Sequence, residues 1–477
     1  MLELPPGERA ALWKQVAAAL EDYASNVADL PVSPPAEPLA VRAKLDELDF
    51  SRPLAAAAAV EWTVEQLRRF QVHTPHPRYF GLFNPAPTTM GIAADTLVAG
   101  FNPQLAAWSH NPFAAEVERT LVQAFGERFG WLRSETEGTF ASGGAEANHT
   151  ALLVALGEAF PEFSTAGLRA IAGQPVLYTS AEGHHSVLKA ARLAGLGTAA
   201  VREIAVDDSL RLDVDALERA ITADRSAGDR PFLVVATAGT TNAGVVDRLQ
   251  QIADVAARQA LWFHVDAAWG GAAALVPELR PVLSGIERAD SITFDAHKWL
   301  SVPMGAGLFL TRRAGALART FRVDNAYMPR DAERLGLVDP YASSMQWSRR
   351  FIGLKVFLSL LVAGWEGYAE VLRHQVAMGD LLRRELVGAG WRLVNATPLP
   401  TLCFDDPERL GSEQTGALAA IAASVVESGE AWISTTRVGA GRTVLRACVT
   451  NYRTEPRDVA ALVGSLGRAR DAWLGLC

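Results

Sequence analysis

The sequence predicts an α/β protein, a mostly parallel sheet covered by helices, with a smaller α+β domain after it. Three observations carry this. Between about residues 140 and 312, short Val/Ile/Phe-rich runs alternate with Ala/Leu/Arg-rich stretches of helical character, the pattern of strand–helix–strand units. After a long helical stretch around 349–375, the segment 377–477 carries strand and helix signals of its own. The chain has 477 residues, 49% of them hydrophobic, which exceeds one ordinary domain and supplies a large core.

Taken in order, Leu12, Val16, Leu20 and Val27 recur at near-helical spacing, so residues 8–28 read as a helix. Pro31, Pro35 and Pro38 then break the chain into an extended arm. The alanine run at 55–59 reads as helix. Runs at 175–180, 232–238, 261–267, 291–295 and 306–311 read as strands; in such sheets ligands sit at the carboxyl ends of the strands. Arg442-Thr-Val-Leu-Arg-Ala-Cys-Val449 reads as a strand of the smaller domain. The expected division is an arm at 1–72, a large domain at 73–365 and a small domain at 366–477.

A formal charge of −8 leaves no basic footprint for nucleic acid. No window of 18 uncharged apolar residues is present to span a bilayer; the longest candidate, Phe351 to Trp365, contains Lys355 and reads as a core helix. Met1-Leu-Glu-Leu-Pro-Pro-Gly-Glu-Arg9 lacks the basic and apolar regions of a signal peptide, so the expected location is cytoplasmic. Cys403, Cys448 and Cys477 are widely spaced, which indicates neither a disulfide framework nor a metal site.

The chemistry is signalled by Ser291-Ile-Thr-Phe-Asp-Ala-His297-Lys298-Trp-Leu300, an apolar run ending in one of only five lysines. A lysine amine in apolar surroundings is a nucleophile that forms a Schiff base with an aldehyde. Upstream, Leu261-Trp-Phe-His-Val-Asp266-Ala-Ala268 is a second run, ending in an acid. An aspartate and a lysine at two strand ends form the pair that holds pyridoxal phosphate, the acid on the ring nitrogen and the amine on the aldehyde.

Further pieces fit. Ser142-Gly-Gly144-Ala145-Glu-Ala-Asn148 passes from a glycine turn into a helical run, and backbone N–H groups at a helix start suit a phosphate. Ser180-Ala-Glu-Gly-His184-His185-Ser186 follows a strand and offers an imidazole to stack on a pyridine ring; a histidine pair at a helix start is otherwise a cap or surface feature. Thr240 and Thr241 either hydrogen-bond the ring substituent or close a turn. His297 either contacts phosphate or fills space.

These motifs together resemble the group II decarboxylases dependent on pyridoxal phosphate, which include aromatic amino acid and glutamate decarboxylases. The resemblance runs from about residue 70 to 360 and is strongest at His264–Ala268, Ala238–Thr241 and His297–Trp299. It implies the fold of aspartate aminotransferase, fold type I, and a homodimer with the N-terminal segment packed across the interface. It also implies L-amino acid decarboxylation, with Lys298 bonded to the cofactor, Asp266 on the ring nitrogen and His184 stacked on the ring. Gly144 and Ala145 would hold phosphate, and Thr241, Ala268 and His297 would line the cofactor. Thr320 to Tyr327 resembles a catalytic loop whose tyrosine protonates the substrate carbon, and Trp347 to Phe351, with Ser348, resembles the segment reaching the neighbouring subunit's phosphate. Asp295 departs from the asparagine of many relatives, and an acid beside a phosphate must be paired or turned away.

The substrate is expected to be an aromatic or apolar amino acid, because His76 to Pro85, with Leu82 and Phe83, is aromatic and apolar and a carboxylate there would need a cation. Arg78 is one candidate for it; Trp108 is expected near the dimer interface. The competing readings are an aldehyde synthase of the same family, an acidic amino acid decarboxylase, an aminotransferase using Arg446 for the substrate carboxylate, and a catalytically silent binding protein.

Overall fold

The computed structural model describes residues 2–83, 85–323, 327–328 and 331–476, without the side chains of Asp331 and Glu333. Asn84, Cys477 and three residues of the loop motif, Asp324, Asn325 and Ala326, lie outside them.

Seven strands form the large sheet: β1 (Glu137–Ala141), β2 (Pro175–Ser180), β3 (Val201–Ile204), β4 (Arg230–Thr237), β5 (Trp262–Asp266), β6 (Ser291–Asp295) and β7 (Gly307–Thr311). Their order is β1-β7-β6-β5-β4-β2-β3. The stretch β6-β5-β4-β2-β3 is parallel, and β7 runs antiparallel between β6 and β1. Every residue of β2, β5, β6 and β7 is buried, because helices cover both faces.

Side-chain alternation divides the strands between two cores. Val176, Tyr178, Val234, Ala236, Val265, Ile292 and Phe294 join one. Leu177, Leu233, Val235 and Phe309 join the other, beneath the helix Gly144–Ala159. Each such Leu, Ile, Val or Phe contributes about 1.5–3 kcal/mol of burial, so the ends of the central strands are held rigidly.

A second, antiparallel sheet contains β8 (Arg392–Leu393), β9 (Thr401–Asp405), β10 (Ser434–Val438) and β11 (Arg442–Cys448), in the order β10-β11-β9-β8. Its core includes Leu402, Phe404, Leu445 and Ala447. The helix Gly353–Gly388, broken at Gly364 where φ is 63°, connects the two units. Val356 and Leu372 enter the large core, and Leu382 and Leu386 the small one.

At the N-terminus the helices Pro6–Asn26, Pro38–Asp46 and Ala56–Phe70 bury no residue of their own. The chain between and after them is tied down by Val32 N–H to the Gly429 carbonyl at 2.8 Å and His73 N–H to the Val32 carbonyl at 2.9 Å. No described helix is long and apolar enough to cross a membrane.

Candidate active site

Because β4, β5 and β6 are parallel neighbours, their carboxyl ends deliver Thr237, Asp266 and Asp295 to one edge of the sheet. Asp266 pairs in register with Thr237 and Thr293. Three residues past Asp295, in a turn closed by Lys298 N–H to the Asp295 carbonyl at 3.2 Å, stands Lys298. Its Nζ lies 3.1 Å from Asp295 Oδ2, and His297 Nε2 lies 3.8 Å from the same oxygen. His297 is fixed by Ala306 N–H donating to Nδ1 at 3.1 Å, and burial pushes its imidazole below the ordinary range against the opposing pull of Asp295. Asp295 is therefore paired, as an acid in this place must be. Its Oδ1 is buried without a partner among the described residues.

Asp266, 6% exposed, receives Asn148 Nδ2–H on Oδ2 at 2.7 Å and Ala268 N–H on Oδ1 at 3.1 Å. In front of it stands His184, whose Nδ1 accepts Ser186 N–H at 3.2 Å. That bond leaves the proton of the neutral ring on Nε2. Partial desolvation lowers the His184 pKa; Asp266 raises it and Lys298 lowers it, which places all three in one electrostatic neighbourhood.

The helix Gly144–Ala159 starts at the same edge with no side chain capping it, so its first N–H groups are free for an external acceptor. A Cβ at Gly144 would stand 2.8 Å from Asp295 Oδ2 and 3.3 Å from the Ala268 methyl, so any larger residue there displaces Asp295. Ala145 follows one residue into the helix.

Buried aromatic residues pack behind this edge. Phe83 stacks on Trp269 with centroids 4.5 Å apart, and Trp269 meets Trp299 at 5.3 Å. Lys298 Nζ is 6.0 Å and Arg446 Cζ 5.0 Å from the Phe83 centroid. Arg446 is 2% exposed, donates Nε–H to the Thr241 carbonyl at 2.9 Å and Nη1–H to the Gly81 carbonyl at 2.6 Å, and its Nη2 has no partner among the described residues. Thr241 thus serves through its backbone, while the Thr240 hydroxyl closes the turn by accepting Val245 N–H at 3.2 Å. Leu82 is half-exposed and is held by its N–H to the Tyr79 hydroxyl at 3.1 Å.

Other residues named from the sequence make contacts of their own. Tyr327, exposed, stacks on Trp347 at 6.0 Å, and Trp347 meets Tyr341 at 4.8 Å. Trp108 donates N–H to Asp339 at 2.7 Å and Nε1–H to Glu116 at 3.0 Å, and Ser348 Oγ accepts from Gln104 at 3.3 Å. Among the described residues no hydrogen bond, ion pair or ring contact joins Tyr327, Trp108 or Ser348 to Lys298 of the same chain. Arg78 lies in the field of Asp458.

Sequence reasoning missed Asn148 as a working residue and weighed Arg446 only for another reaction. A lone polar residue on an otherwise apolar strand, as in Thr-Val-Leu-Arg446-Ala-Cys, was the available signal.

A strand-end lysine and aspartate beside an uncapped helix start, with an imidazole in front, define a site fitted to pyridoxal phosphate. The Gly144 cradle and the Arg446 Nη2, which has no partner among the described residues, fit anionic groups of the cofactor and substrate. The chain belongs to the pyridoxal-dependent decarboxylases: that family's conserved domain matches residues 44–405. It is 31% identical to the aromatic-L-amino-acid decarboxylase of Bacillus atrophaeus over 469 residues, 97% of this chain and 95% of the relative. It is 31% identical to the acidic amino acid decarboxylase GADL1 of Bos taurus over 341 residues, 70% of this chain and 64% of the relative. The crystal structure of Oryza sativa TDC with PLP and tryptamine superposes with a TM-score of 0.92 at 25% identity, covering 99% of this chain and 100% of that one. The fold is therefore type I, and the protein is a pyridoxal-phosphate-dependent amino acid carboxy-lyase.

Proposed function

We propose that the substrate is an aromatic L-amino acid, converted to its amine and CO2 at Lys298. The Phe83–Trp269–Trp299 cluster behind Lys298 carries this reading, since ring-rich, apolar surroundings favour an aromatic side chain over an acidic one. Arg446 is the cation that remains for the α-carboxylate; Arg78, facing Asp458, is a structural anchor.

Bound pyridoxal phosphate supplies the electron sink for the breaking carbon–carboxylate bond. The chain's residues do the rest. Lys298 holds the cofactor and releases it to the substrate. Asp266 keeps a negative charge against the ring nitrogen, and the helix start at Gly144 and Ala145 holds the phosphate, with Ala268 and His297 lining the site. His184 would hold the substrate carboxylate in position for its departure. Tyr327 donates a proton to the carbon that has lost CO2.

Tyr327, Trp108 and Ser348 act in this reading across a homodimer, each completing the partner's site. Support comes from the arm, whose helices bury nothing and expose Trp13, Leu20 and Leu39, and from the exposed Tyr327 cluster. Side-by-side assays with tryptophan, tyrosine, phenylalanine, glutamate and aspartate test the substrate: an aromatic preference is expected, and preference for an acidic substrate refutes it. A dimeric mass at micromolar concentration is expected, and a monomeric mass refutes the shared site.

A further inference from the structure

Behind Asp266 a chain of buried polar groups runs back through the sheet. Asn148, His264, Ser291, Thr293 and Trp262 are each no more than 9% exposed. Trp262 Nε1 is 2.8 Å from Ser291 Oγ, Ser291 Oγ is 2.8 Å from His264 Nδ1, and His264 Nε2 is 3.1 Å from Asn148 Oδ1 and 3.2 Å from Thr293 Oγ1. Asn148 Nδ2 then reaches Asp266 Oδ2 at 2.7 Å and Ser186 Oγ at 2.8 Å.

Along the line from Trp262 to Asp266 the two ends fix which group donates. An indole nitrogen only donates, so Ser291 Oγ accepts from Trp262 and its hydroxyl proton is free for His264 Nδ1. A carboxylate only accepts, so the amide nitrogen of Asn148 faces Asp266 and its oxygen faces His264. His264 therefore carries its proton on Nε2 and accepts on Nδ1, which agrees from both ends. Burial pushes its imidazole down to about 4, so the neutral tautomer is the one present at working pH. All donors point toward Asp266.

We propose that Asn148 is a positioning residue whose orientation is locked by the Trp262–Ser291–His264 chain, and which aims the Asp266 carboxylate while fixing the His184 turn through Ser186. The same amide nitrogen thereby sets both protein partners of the cofactor ring: Asp266 directly, and His184 through Ser186, whose N–H bonds His184 Nδ1. The charged and ionisable groups of this neighbourhood are His264 behind Asp266, and His184, His185, Lys298 and Asp295 around the His184 ring. A neutral donor at Asn148 holds the carboxylate without adding a charge, so it fixes the direction of the oxygens that face the cofactor. The inference rests on Asp266 being the partner of the ring nitrogen.

The test reconstitutes wild type, Asp266→Asn, Asn148→Leu, Asn148→Thr, His264→Gln and His264→Leu with pyridoxal phosphate, and follows the pH at which the bound cofactor's visible absorption changes, together with kcat and KM. Asn148→Leu is expected to retain cofactor, to move that midpoint by about one pH unit or more, and to lose at least about tenfold in kcat with little change in KM. His264→Leu should shift it the same way. His264→Gln, which keeps a donor for the Asn148 oxygen, should restore it toward wild type. Should Asn148→Leu fail to fold, Asn148→Thr, with a single hydroxyl donor, is expected to give a smaller shift in the same direction. An unmoved midpoint in the folded Asn148 variants beside a moved one in Asp266→Asn overturns the inference alone. An unmoved midpoint in Asp266→Asn overturns the reading beneath it.

Discussion

Replacing Gly144 with alanine adds one methyl at the start of the helix proposed to hold phosphate, and two effects oppose each other. Alanine is the better helix former by up to about 1 kcal/mol, which alone would raise stability. The added Cβ, however, would stand 2.8 Å from Asp295 Oδ2, and Asp295 has little room to move. It is 2% exposed, with Lys298 Nζ 3.1 Å and His297 Nε2 3.8 Å from the struck oxygen. Overpacking of this kind costs about 1–3 kcal/mol, and here it falls on the Lys298 ion pair and the free N–H groups at the helix start. The fold should melt near wild type while pyridoxal phosphate binds about 5- to 150-fold more weakly, at 1.36 kcal/mol per factor of ten. Titration of the apoprotein with cofactor, followed by visible absorption, measures this. Gly157→Ala in the same helix is the control, since its Cβ meets only Thr320 Oγ1 at 3.6 Å; it should bind normally. Unchanged affinity in Gly144→Ala would refute the assignment of this helix start to phosphate.

Tyr327→Phe removes the proposed proton donor, so amine yield should fall and oxygen-dependent aldehyde and ammonia should rise; an oxygen electrode beside an amine assay reads both, and an unchanged amine yield removes Tyr327 from the mechanism. Glu118→Gln leaves Arg349 buried without its counter-ion, because Arg349 Nη1 lies 2.6 Å from Glu118 Oε2 and both side chains are about 5% exposed. Loss of one partner of such a pair costs about 3–5 kcal/mol, measured by denaturant unfolding, and a loss below about 1 kcal/mol would show that the pair is solvated.

The central strands were legible because each is almost wholly buried and rich in large apolar residues. The two missed strands are at the sheet's edges, β1 (Glu-Gly-Thr-Phe-Ala) and β3 (Val-Arg-Glu-Ile), where part of the strand is exposed and the apolar run is interrupted. Asp266 and Lys298 could be found because a strand-end charge in an apolar setting is conspicuous, and the structure brings both to one edge with His184. Asn148 and His264 could not be found that way: which buried polar residue faces which depends on helix Gly144–Ala159 lying across β5, a contact no local pattern encodes. Asp295 is the opposite case, since its sequence raised the need for a partner and Lys298 supplies it. Among the described residues no hydrogen bond, ion pair or ring contact joins Tyr327 or Ser348 to Lys298, and a match to a family loop could not show where in the fold that loop lies.

The measurement that bears most directly on the account is the location of the cofactor's covalent bond. Holoenzyme reduced with borohydride and mapped by peptide mass should carry the pyridoxyl group on Lys298, and Lys298→Ala should lose both the label and the visible absorption. A label on Lys189 or Lys355, or a Lys298→Ala protein that still labels and absorbs as wild type does, would contradict it.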